Sequence, residues 1–380
     1  MQIQDPARAV DPARFALFDL GFRPFYLLAG AFAALAVPLW ALQYAGMLPG
    51  ANILWHAHEM VFGYAFAVIA GFLLTAVRVW TQRPTPTGAL LGGIVLLWLS
   101  ARLAAPVSLP AAGILDLAFA IAVAAGIGQP LVASGNRRNY FFIVLVLALG
   151  AAGLALQRWP QAALALGLDV VLFVIAVVAG RVVPAFTNNA LPGANARRHP
   201  WIEKGALGAL LALIAADAFA RTELAAGLAL AAAALHAARL ALWSPLRTLR
   251  RPILWILHLS YAWLVVHLLL RGLAGFGLAP YASATHALTV GAIGGMTIGM
   301  MTRTARGHTA RPLSVGRPEL AAYVLVQLAA VARVLVPLAL PAAQVGAMLV
   351  SAAFWFAAFA LFFVTYVPIL TRPRLDGQPG

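Results

Sequence analysis

Residues 54–77 read LWHAHEMVFGYAFAVIAGFLLTAV. From Met60 to Val77 no side chain carries a charge, and an apolar run of about twenty residues is what a helix needs to cross a bilayer. The head of the same run is Trp55-His56-Ala57-His58-Glu59-Met60. Ionisable groups at membrane depth are costly and need a reason, so this stretch sets both the fold class and the search for function.

The rest of the chain follows the same pattern. Its 380 residues are 63% hydrophobic and 10% charged, with a mean hydropathy of +0.90, which leaves too little polar surface for a soluble protein. The reading is an all-α polytopic membrane protein. Apolar runs predict about twelve transmembrane helices, beginning near Phe25, Leu54, Gly88, Ala111, Asn139, Gln161, Trp201, Thr222, Pro252, Tyr281, Glu319 and Ala342. They form one integral domain over residues 1–380, with an amino-terminal segment at 1–20 and a tail at 371–380. Asp5, Asp11 and Asp19 precede any apolar core, so no cleavable signal is expected. The tail from Arg372 to Gly380 reads as disordered.

Charge orients the chain. Lys and Arg concentrate in alternate connections, while the others hold only Arg102, Arg158, Arg221 and Arg271; Arg333 falls inside a helix. Placing the basic side in the cytoplasm puts both termini there and residues 47–52 outside. The net charge of +15 is dispersed over short segments without interleaved aromatics, which fits topology and anionic lipid better than nucleic acid. The absence of cysteine excludes disulfides, thiolate metal sites and covalently attached c-type haem.

Basic helix starts recur about 115 residues apart, as Phe22-Arg23-Pro24-Phe25, Arg137-Arg138-Asn139-Tyr140 and Arg250-Arg251-Pro252-Ile253. They mark helices one, five and nine, which suggests three four-helix modules about a pseudo-threefold axis. In that frame His56, His58 and Glu59 on helix two share a level with His286 on helix ten, in the outer half of the bilayer. Asp116 and Asp169 fall there too, and with Glu59 they are the candidates for proton relay. His56 and His58 lie about 200° apart around a regular helix and cannot both face one centre, whereas His56, Glu59 and Gly63 share a face. His258, His308 and His236 form a looser group toward the cytoplasm; His267 reads as a packed residue and His199 as a solvated one. Gly291, Gly294, Gly295 and Gly299 give helix ten a bare surface, suited to close packing of another helix or of a flat ligand.

Together, Leu20-Gly21-Phe22-Arg23-Pro24-Phe25, Trp55-His56-Ala57-His58-Glu59-Met60, the segment Gly180-Arg181-Val182-Val183-Pro184-Ala185-Phe186-Thr187 and the run from His286 to Met296 resemble the NnrS family. Trp255-Ile256-Leu257-His258 and the segment from Met300 to Thr309 share the likeness. The resemblance implies a bacterial inner-membrane protein containing haem b and copper, associated with denitrification and tolerance of nitric oxide. It makes His56, His58, His258, His286 and His308 the candidate cofactor and metal ligands, because those five stand inside matching segments. The arrangement is more remotely similar to the catalytic subunit of haem-copper oxidases, whose low-spin haem is held by histidines on helices two and ten. That subunit's copper histidines lie on helices six and seven, where this chain has none.

The resulting expectation is a haem protein of the nitric oxide response that binds nitric oxide, or reduces it with electrons from a membrane or periplasmic donor. The alternatives are a proton- or ion-coupled transporter using the buried His and Asp residues, and an assembly or protective partner without turnover. A glycine-rich nucleotide loop, a His-Glu-x-x-His pattern and a nucleophile elbow are absent from the sequence.

Overall fold

A computed structural model describes residues 14–219 and 222–378. Residues 1–13 of the amino-terminal segment, Arg221 and the last two residues of the tail lie outside it. Every regular element among the described residues is helical. In chain order the helices are α1 (Phe22–Tyr44), α2 (Ile53–Thr81), α3 (Gly88–Ala104), α4 (Leu109–Ala133), α5 (Arg137–Ala155), α6 (Pro160–Ala190), α7 (Pro200–Ala218), α8 (Thr222–Leu242), α9 (Pro252–Gly275), α10 (residues 281–308), α11 (Arg317–Ala339) and α12 (Pro341–Leu370). Nine of them among the described residues are long and apolar enough to cross a membrane. The other three are α3, α7 and α10. The first has 17 residues, α7 carries Glu203, Lys204 and Asp217, and α10 is diluted by Gly, Thr and Met.

Local chemistry sets the ends. Proline opens α6, α7 and α9, where its missing N–H costs nothing. Asn52 caps α2 by accepting from the Leu54 and Trp55 amides at 3.0 and 3.1 Å, and the Glu319 carboxylate reaches back to the Gly316 amide at 2.9 Å. The chain leaves α2 through Gln82 in the left-handed region, φ 53°.

Neighbours recur every four helices. α12 packs on α1, α4 on α5 and α8 on α9; α3, α7 and α11 pack in turn on α4, α8 and α12. The bare face of α10 is filled by helices on several sides. Gly291 abuts Trp263 of α9, Gly294 abuts Trp355 of α12, and Gly295 faces Ser260 and Gln327 of α9 and α11. A Cβ at any of these would collide, so the glycines serve helix packing.

The described part of the tail is tied to the bundle, contrary to its polar composition. Ala16 N–H donates to the Thr371 carbonyl at 2.8 Å and Leu375 N–H to the Thr309 carbonyl at 3.2 Å. The fully buried Arg23 donates through Nη1 to the carbonyls of Leu370 and Arg372 at 3.0 and 2.7 Å. A buried guanidinium needs several acceptors, and the end of α12 supplies two.

Candidate functional site

The described residues contain three π-helical segments, Glu59–Ala65 in α2, Ala287–Gly294 in α10 and Val331–Leu335 in α11. Single wide turns of this kind cluster at functional sites, and the second of them packs against the third. His56 precedes the first, His286 ends the short α-helical turn before the second, and Arg333 lies within the third. The head of α10 packs against the π segment of α11, and the His56 imidazole lies within electrostatic reach of both His286 and Arg333. Trp40 of α1 closes one side, stacked on His56 with ring centroids 4.8 Å apart and planes 12° from parallel.

The ring nitrogens suit ligation. His286 Nδ1 donates to the Ala282 carbonyl one turn back at 2.6 Å, which fixes the tautomer and leaves Nε2 with the lone pair. His56 Nδ1 is buried without a hydrogen-bond partner. The site therefore offers two half-buried imidazoles from different helices, within electrostatic range of the Arg333 cation.

His58 points elsewhere. Its Nδ1 donates to Glu59 Oε1 at 2.7 Å, and its Nε2 lies 2.9 Å from Asp116 Oδ2. Arg102 completes a buried tetrad, with Nη1 3.0 Å from Glu59 Oε1 and Nη2 2.5 Å from Asp116 Oδ1. The side chains of His58, Glu59 and Asp116 are at most 1% exposed, and Arg102 is 5% exposed. Separation of His56 from His58 agrees with their angular spacing. Glu59, expected on the His56 face, is held with Gly63 against Arg102. Gly63 is required there, since a Cβ would collide with the Arg102 guanidinium.

His56, His58, Glu59 and His286 fall in the segments that carried the family likeness, and the sequence model described as NnrS protein matches residues 16–374. The chain belongs to the NnrS family. No curated protein matches it significantly.

Elsewhere among the described residues of this NnrS protein, four further acids are likewise held by arginine. Asp169 of α6 pairs with Arg271 of α9 at 2.8 Å, and Arg271 also contacts Asp217 at the end of α7. Glu203 and Glu319, which open α7 and α11, pair with Arg239 and Arg306 at 2.5 and 2.6 Å. Sequence reading took Arg102 and Arg271 for loop residues, yet both turn back into the bundle. The signal for Arg102 was a glycine, Gly63, one turn beyond Glu59 on a neighbouring helix.

The looser histidine group does not assemble into one site. His236 hydrogen-bonds to the Tyr261 hydroxyl at 2.6 Å, and Tyr261 accepts from Arg239. His258 Nδ1 donates to the Leu254 carbonyl at 3.0 Å, and Nε2 faces the Trp243 carbonyl and Thr187 hydroxyl at 3.3 and 3.4 Å. His308 packs on the Phe22 ring, 5.6 Å between centroids. His267 Nδ1 donates to the Ala284 carbonyl at 2.8 Å, the packed role expected of it, and His199 is exposed. Among the described residues no three His, Asp or Glu side chains are arranged to hold a metal ion.

Proposed function

We propose that this member of the NnrS family is a haem-b protein of the bacterial inner membrane that binds nitric oxide, with His56 and His286 as the iron ligands. One observation carries the reading. Two imidazoles from α2 and α10 sit at matching π-helical openings with nitrogens free of protein partners, and a tautomer fixed through the other ring nitrogen is the usual preparation for ligation. Haem iron held by these two residues would offer a site for a diatomic ligand only where one of the imidazoles gave way to it. The chain's own contribution is to hold His286 by Ala282, to stack His56 on Trp40, and to set the Arg333 cation within electrostatic range of both. His58 belongs instead to the Arg102 tetrad in this reading. The donor arrangement does not fit a three-ligand copper centre, so no step is assigned to copper.

In the finer architecture we infer, all twelve helices cross the membrane in three modules of four, with both termini in the cytoplasm. The recurrence of helix neighbours every four elements supports the modules. Glu59, Asp116 and Asp169 then neutralise Arg102 and Arg271 within the membrane. Relay of protons through them would require those contacts to break, and binding of nitric oxide needs no relay. Reduction of the gas would in addition need an electron donor outside this chain.

The test is the optical spectrum of protein purified from haem-replete cells, reduced and then exposed to nitric oxide. A Soret band that shifts on exposure is expected. Protein that lacks the band, and that takes up solute along an ion gradient until His286→Ala abolishes uptake, is a transporter instead.

A further inference from the structure

Below the histidine pair, α1, α2, α6 and α10 line a small, partly open apolar cavity of about 60 Å³. Val68 and Phe72 of α2, Val174 and Val178 of α6, and Met296 and Met300 of α10 form half of its lining. Its polar lining residues are Tyr26 and Thr297; the Thr297 hydroxyl is already engaged, donating to the Ile293 carbonyl at 2.7 Å and meeting the Tyr64 hydroxyl at 2.5 Å. A water needs about two to four polar partners, and apolar cavities stay dry and take up apolar ligands such as xenon. The volume is several times the roughly 10–15 Å³ that a single water requires, and the two thioethers add polarisable surface. Burial is graded along the wall. Val68, Val174 and Met296 are buried, whereas Phe72, Val178, Val182 and Met300, each farther along its helix, are half-buried. The cavity therefore opens toward the carboxyl-terminal ends of α2, α6 and α10, away from His56 and His286.

We propose that this cavity is a binding site for a diatomic apolar gas, separate from the histidine pair and entered from the carboxyl-terminal ends of the three helices. Identifying the gas as nitric oxide rests on the function proposed above; affinity for a small apolar gas does not.

Xenon is the probe. Purified protein in nanodiscs is titrated with xenon under pressure and followed by ¹²⁹Xe NMR, with empty nanodiscs as the baseline for partition into lipid. A saturable shift beyond that baseline is expected in the wild type. It should vanish in Val178→Phe and in Met300→Phe, two half-buried wall positions where added bulk enters the cavity, and persist in Leu35→Phe on the exposed face of α1. Two wall variants guard against one failing to fold, and circular dichroism checks both. Xenon uptake no different from empty nanodiscs, or equal in folded wall variants and wild type, overturns the proposal. His286→Ala should keep the xenon signal even where it loses haem, and nitric oxide should displace xenon from that variant. Loss of xenon binding in folded His286→Ala would merge the two sites and contradict their separation.

Discussion

Replacing Arg102 by Met removes the only guanidinium in a cluster that holds two carboxylates at no more than 1% exposure. With charge centres about 4 Å apart and an effective dielectric near 20, each carboxylate contact is worth about 4 kcal/mol of gross Coulomb attraction. Desolvation offsets most of that in the intact cluster, so the pair adds little net stability. Removing one partner is different, because Glu59 and Asp116 stay buried and Asp116 is left with His58 alone. Such losses cost about 3–5 kcal/mol. Arg102→Met should therefore lower stability by that amount, and Arg102→Lys should recover only part, since an ammonium cannot fork between two carboxylates. The double variant Arg102→Met with Asp116→Asn should be more stable than Arg102→Met by itself. Unfolding in mixed detergent, followed by tryptophan fluorescence and fitted as a double-mutant cycle, measures the coupling. A single variant within about 0.5 kcal/mol of wild type, or additivity across the cycle to about that margin, would refute the tetrad as a coupled unit.

The same unfolding assay checks three further expectations. Gly63→Ala should cost about 1–3 kcal/mol by overpacking against Arg102, and the loss should shrink in the Arg102→Met background; an equal loss in both backgrounds would place the clash elsewhere. Gly180→Ala should behave likewise toward Arg239, whose guanidinium occupies the space a Cβ would take, and full stability there would dismiss that close approach. Truncation after Leu370 removes the Thr371 and Arg372 carbonyls from Ala16 and Arg23, and should cost about 1–3 kcal/mol for the buried groups left short of acceptors. An unchanged midpoint would show that the tail contributes no stability.

Most helix starts were legible because an apolar run bounded by Arg, Pro or Asn is a local signal, and the observed helices begin within a few residues of the expected positions. The shared level of His56 and His286 followed from counting residues along two helices that run the same way. Other features depend on tertiary contacts. Arg102 looks like a loop arginine until Gly63, on another helix, makes room for it. The pairing of Glu59 with Arg102 depends on a contact between two helices that helical periodicity within one of them does not reveal. Arg333 was visible as a charge inside a helix, but only the packing of α10 on α11 brings it within electrostatic range of the two histidines. The tail was misread because its polar composition suits disorder, while the acceptors it offers are backbone carbonyls and carry no sequence signature.

The central claim is that His56 and His286 jointly hold haem. Its most direct test is haem content and reduced optical spectrum of His56→Ala and His286→Ala, measured beside His267→Ala, which alters a nearby packed imidazole. The account predicts that both ligand variants lose haem or its low-spin signature while the His267 variant keeps them. Full haem content with an unchanged spectrum in folded His286→Ala would contradict it.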